Sequence, residues 1–153
     1  MPIDILSVDD SFNPCLQAIR KHNWMQTVFN DFAETIVEVF SKKDAARLGI
    51  ESTSSFDPVA STVTINFCGR SIRFSFMPRP GEKDNHALMM VHLLPKFEDF
   101  EEMHKLEEFG IDGDGITSLS VKGENCSLRR REDVLAIGMH YMLKAVSIGF
   151  CPK

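Results

Sequence analysis

The sequence predicts a single α+β domain over residues 1–153, with an antiparallel sheet of three to five strands packed by an N-terminal helical segment and a C-terminal helix. Three observations predict it. Met25, Val28, Phe29, Phe32, Ile36, Val39 and Phe40 recur at spacings of three and four, which gathers them on one side of a helix. Around Cys68-Gly69 two runs alternate apolar and polar residues in matching phase, as an antiparallel hairpin requires. Near the end of the chain, Val134, Leu135, Met139, Tyr141, Met142, Ala145 and Val146 give a second helix with a broad apolar face.

Taken in order, Asn13-Pro14 reads as a first helix start, because Asn caps and Pro suits the first helical position. A second start is expected at Asn23, with Gln26 three residues on as in a capping box. Lys42, Lys43 and Arg47 suit the last turns of this helix by their charge, and Gly49 suits its end. Ser52–Ser55 and Asp57-Pro58 read as a connecting loop. The hairpin register follows from a two-residue turn at Cys68-Gly69: Phe67 faces Arg70, Ile65 faces Ile72 and Val63 faces Phe74. The other parity pairs Asn66 with Ser71, Thr64 with Arg73 and Thr62 with Ser75, so one face is apolar and the other polar.

After Pro78-Arg-Pro-Gly81 a third strand is expected from Ala87 to Leu94. Met89, Val91 and Leu93 lie on one of its faces, and Leu88, Met90, His92 and Leu94 on the other. The second row is either covered by a helix or left as a partner-binding patch, including one for a homodimer. Phe97, Phe100, Met103, Leu106 and Phe109 recur every third residue, which is compatible with a helix. Asp112-Gly-Asp-Gly115 reads as a turn, Ile116–Val121 as a short strand, Lys122-Gly123 as a second turn, and Arg130 to Val146 as the last helix.

The charge is unevenly placed. Between Glu98 and Asp114 eight acids stand against one base, Lys105, a local charge of −7 in a chain whose net charge is −5, which leaves the other residues at +2. Glu98, Asp99, Glu101, Glu102, Glu107, Glu108, Asp112 and Asp114 are therefore the candidate partner-binding residues, with interleaved Phe, Met and Leu as apolar anchors. So concentrated a negative segment repels nucleic acid and attracts a basic protein. The expected partner is a basic protein such as a nuclease or other toxin, bound by a toxin-neutralising, immunity-type inhibitor or by one that mimics a phosphate backbone. Direct nucleic-acid binding through Arg129-Arg-Arg131 and Arg70, Arg73 and Arg79 is opposed by a pI near 5.5, and an internal salt-bridge network between these arginines and the acidic segment is the plainer reading.

No motif names a reaction. The Asp112-Gly-Asp-Gly run lacks the later ligands of a calcium loop, the histidines show no helical metal-binding pair, and no phosphate loop or nucleophile elbow occurs. No metal or cofactor is expected. The four cysteines are dispersed, no leader or membrane-spanning run is evident, and a reduced cytoplasmic setting is the expectation. The alternative function is a small-molecule sensor or an enzyme, with a pocket between sheet and helices lined by Met89, Met90, His92, His140 and Tyr141, and Arg73 nearby.

Overall fold

The computed structural model describes residues 2–41, 51–79, 86–95 and 103–149. The chain runs α1 (Val8–Val39), then seven consecutive strands, β1 (Ser52–Asp57), β2 (Thr62–Phe67), β3 (Arg70–Pro78), β4 (Ala87–Leu93), β5 (His104–Ile111), β6 (Ile116–Val121) and β7 (Glu124–Ser127), and closes with α2 (Arg131–Gly149). Each strand pairs antiparallel with the next, so the sheet is a meander in the order of the sequence. The α+β class holds; the sheet has seven strands where three to five were expected.

One row of the sheet explains the architecture. Val63, Ile65 and Phe67 of β2, Ile72, Phe74 and Phe76 of β3, and Ala87, Met89, Val91 and Leu93 of β4 are buried, and each alternates with a residue on the opposite face. Both helices lie over this row. Phe29 of α1 stacks on Phe76 at 5.0 Å between ring centroids, and Phe32 meets Phe74 edge-on at 5.4 Å. On α2, Tyr141 meets Phe74 edge-on at 5.7 Å and stacks on Phe109 at 6.2 Å. The hairpin register is the expected one at all six positions, and its turn puts Cys68 and Gly69 both at positive φ, 47° and 70°.

Four expectations are corrected. Asn13-Pro14 and Asn23 do not start helices: a single helix begins after Ser7, whose hydroxyl accepts the Asp10 amide at 3.2 Å, and Pro14 lies inside it. A ring at that position removes one N–H, and a helix of 32 residues tolerates that loss. Ser52–Asp57 is no loop but an edge strand. Its serines are informative, because Ser52 Oγ donates to Phe40 O and Ser54 Oγ to Val37 O, both at 3.3 Å, serving carbonyls the end of α1 leaves without helical partners. The segment His104–Ile111 is a strand rather than a helix, and Glu124–Ser127 adds the last strand. Lys42, Lys43, Arg47, Gly49, Phe97 and Phe100 lie outside the described residues.

The two helices meet where α1 ends. A side chain added at Gly138 would sit 2.5 Å from the buried Phe40 ring, so α2 approaches α1 only because this position has none. Gly138→Val is therefore expected to destabilise the fold by about 1–3 kcal/mol through overpacking, more than the helix propensity it gains. Thermal unfolding reads this as a lower Tm. Phe40→Leu is expected to cost less in the Gly138→Val background than alone; strict additivity would show that the two positions do not meet.

Candidate functional site

The acidic segment is the first candidate, and the structure divides it. Glu98, Asp99, Glu101 and Glu102 lie outside the described residues. Glu107, Glu108, Asp112 and Asp114 are described, and they do not form one surface. The reason is a β-bulge. Val91 of β4 faces Glu107 and the next residue, His92, faces Lys105, so Leu106 is the extra residue on β5. Residues an odd number apart in a regular strand point to opposite faces. Across the bulge His104 and Glu107 share the helix side with Leu93 and Val91, while Lys105 and Glu108 share the other side with His92 and Met90.

On the helix side Glu107 joins the sheet to α2. Its Oε2 accepts from Lys144 Nζ at 3.0 Å and lies 3.9 Å from His140 Nε2. Burial raises the Glu107 carboxyl, but Lys144, the Tyr141 hydroxyl and His140 outweigh it and hold the group below its ordinary 4.5. The buried Tyr141 hydroxyl makes no well-aligned hydrogen bond; burial first, and the adjacent Glu107 carboxylate second, push its ionisation far upward. Chemically this is an ion pair beside a phenol held protonated, with His140 about half exposed at its edge.

On the opposite side Lys105 Nζ donates to Glu108 at 2.9 Å, which pulls the Glu108 carboxyl down. Asp112 is occupied as a turn residue: its Oδ1 accepts the amides of Asp114 at 2.8 Å and Ile116 at 3.0 Å. Asp114 is exposed. Gly115 completes that turn with φ +82°, where a side chain would also press on Val28 at 3.1 Å.

The three arginines do not bridge to the described part of the acidic segment. Arg129 and Arg131 reach back to α1, with Arg129 Nε 3.9 Å from Asp31 and Arg131 Nη1 2.6 Å from Glu38. Arg130 lies 3.9 Å from Asp133. Arg129 also stacks over Trp24 at 5.2 Å, and Trp24 Nε1 donates to Gly113 O at 2.6 Å. Salt bridges from these arginines to the acidic segment were expected; the described carboxylates they reach are instead Asp31 and Glu38 of α1 and Asp133 of α2.

Nor do the residues of the expected pocket converge. Met89, on β4, and Tyr141, on α2, are core residues. Arg73, Met90 and His92 are on the other face, where Arg73 and His92 are cross-strand neighbours. Arg73 Nε and His92 Nδ1 are buried there without hydrogen-bond partners, and burial, then Lys105 and Arg73, keeps His92 below its ordinary value. Leu88, His92 and Leu94 are half-buried on this face, which neither described helix covers.

Three hollows among the described residues lie against α2. A cleft of about 430 Å³ is lined by His104, Leu106, His140, Leu143, Lys144, Ser147 and Ile148. On the other flank of Leu143 a nearly wholly apolar groove of about 240 Å³ is lined by Phe67, Met139, Met142, Leu143 and Val146. Leu143, 69% exposed, is the ridge between them. The sequence marks these positions as apolar and helical, and only the placement of α2 shows which of them the sheet leaves uncovered. A third hollow of about 180 Å³ is lined by Cys126 and His140 among others, but burial and Asp133 push the Cys126 thiol up, against nucleophilic chemistry. Among the described residues no group of three or more His, Cys, Asp or Glu is placed to hold a metal ion. No helix among them is long and apolar enough to cross a membrane. No known family model, curated protein or solved structure matches the chain.

The Glu107 ion pair has a pH signature. Because the folded carboxyl lies below its ordinary value, the pair stabilises the fold above that value and the gain is lost as pH falls through the folded-state pKa. Glu107→Gln is expected to be less resistant to urea than the parent at neutral pH, with the difference closing in acid. A difference that persists unchanged in acid would show that ionisation of Glu107 is not its source.

Proposed function

We propose that this chain is a small non-catalytic binding module that docks on a basic protein, and that it works in a reducing cytoplasm. The observation that carries the reading is the ridge of α2. Leu143 stands exposed between two hollows, with the exposed Met139 lining the apolar one, an arrangement that suits apolar anchors of an interface. Charge supports it. The acidic run Glu98–Glu102 comes shortly before His104 in the sequence, and His104 lines the larger cleft beside Leu143. Anchors supply affinity and charge supplies association rate. A toxin-neutralising or phosphate-mimicking inhibitor is the class this combination fits.

Glu107 and Glu108 are already paired within the chain, so they contribute less than their sequence position suggests. Glu98, Asp99, Glu101 and Glu102 are the residues proposed to steer the partner. A second reading rests on the 430 Å³ cleft itself, whose volume suits a small ligand and whose His104, His140 and Lys144 suit an anion.

The test uses a basic partner retained from the native cell and released by salt. Leu143→Asp is expected to weaken binding by roughly 2 kcal/mol, as loss of an anchor does, with thermal unfolding unchanged. Reversal of Glu98, Asp99, Glu101 and Glu102 to Lys is expected to slow association and flatten its salt dependence. Full affinity and unchanged rates in both variants would sink the reading, and a small anion that raises Tm in the parent but not in a His104→Ala/His140→Ala variant would favour the second.

A further inference from the structure

The first half of α1 leaves the domain. From Met25 onward the helix buries residues against the sheet, and before it none is buried. Residues 8–24 form an arm of roughly 25 Å at 1.5 Å per residue. Trp24, held by Gly113 and Arg129, marks the point of departure.

This arm carries an apolar stripe of its own. Val8, Phe12, Cys15 and Ile19 are spaced by four, three and four, with Leu16 beside them. Val8 is 82%, Phe12 62% and Ile19 56% exposed. The stripe does not continue the core face. At 100° per residue it is centred roughly 110° around the helix from the residues that pack on the sheet. Alongside the body the same side of α1 turns polar at Asn23, Gln26 and Asn30, where Gln26 binds Asn30 and Ser61. In the arm the stripe is thus set to one side of the core face, where its residues are exposed. Stripes spaced in this way pack against a second helix.

Charge names the second helix. The arm is acidic at its start, with Asp9 and Asp10, and basic at its end, with Arg20 and Lys21. A parallel copy would set like charges together at both ends. An antiparallel copy sets Val8 against Ile19 and Phe12 against Cys15, twice each, and, since Asp9 and Arg20 flank the stripe on the same side, brings Asp9 of each arm towards Arg20 of the other, while Asp10 and Lys21 lie on the far side of the helix. The surface is self-complementary under a two-fold axis passing near Asn13 and Pro14. We propose that the arms of two copies of this chain pair antiparallel along this stripe to form a homodimer. The seam is short, so the dimer is reversible and depends on concentration.

Sedimentation of the full chain across a concentration series tests this. The parent is expected to pass from monomer to dimer, and Phe12→Glu/Ile19→Glu to remain monomeric with unchanged thermal unfolding, since both side chains are exposed. Asp9→Lys is expected to weaken the dimer by about tenfold, and adding Arg20→Glu to restore it. A parent that sediments as a monomer throughout, or a Phe12→Glu/Ile19→Glu variant that still dimerises, would overturn the proposal. Failure of the Asp9→Lys/Arg20→Glu charge swap to restore the dimer would overturn the antiparallel pairing. Binding of a basic partner is read on the α2 ridge, so either idea can fail while the other stands.

Discussion

The structure depends on one constraint: a meander sheet with a continuous apolar row on one face has to cover that row. Val63, Ile65, Ile72, Phe74, Met89 and Val91 are all fully buried, and two helices do the covering. Neither helix suffices alone. Among the described residues the main contacts of α1 run to β1, β2 and β3, while those of α2 run to β3, β5 and β7, so the helices divide the sheet between them and meet over β3. How closely they approach is set by Phe40 against Gly138. Everything exposed in consequence follows from that division: the side of α2 turned away from both sheet and α1 is where Met139 and Leu143 emerge.

The ion pairs occupy second place in this order. Glu38 with Arg131 and Asp31 with Arg129 tie the start of α2 to α1, and Glu107 with Lys144 ties its later turns to β5. All are at least one-third exposed, so their individual worth is small. Their effect is on register and orientation. The bulge at Leu106 illustrates this, since without it His104 and Glu107 would face opposite ways and α2 would lose a partner on β5.

Where periodicity and burial agree, the sequence is readable. The β2–β3 hairpin has one apolar face, one polar face and a turn that tolerates positive φ, so register, turn and burial all give one answer. The body of α1 and α2 as far as Val146 are legible for the same reason. β1 is not, because Ser52 and Ser54 face the end of α1 with hydroxyls where a strand ordinarily presents apolar side chains. β5 is not, because an extra residue breaks the two-residue period and leaves Leu106 and Phe109 three apart, which imitates a helix. The acidic segment was visible as charge, but pairing across a sheet decides which charges are spent internally, and Lys144 is distant in sequence from Glu107. The cleft and groove on α2 were beyond reach, since exposure of an apolar helical residue depends on where the helix is set down.

The charge of the chain acquires a second meaning from these surfaces. Exposed apolar side chains on an arm and on a helix ridge invite indiscriminate association. A net charge of −5 opposes it by mutual repulsion between copies, and it opposes approach to acidic neighbours as well. Only two kinds of surface then remain favourable. One is the basic surface proposed as partner of the acidic run; the other is an arrangement that brings opposite charges together despite the net repulsion, as the proposed antiparallel arms do with Asp9 and Arg20. Acidity and exposed apolar surface are in this view one device: the apolar residues provide the adhesion, and the charges restrict what they adhere to.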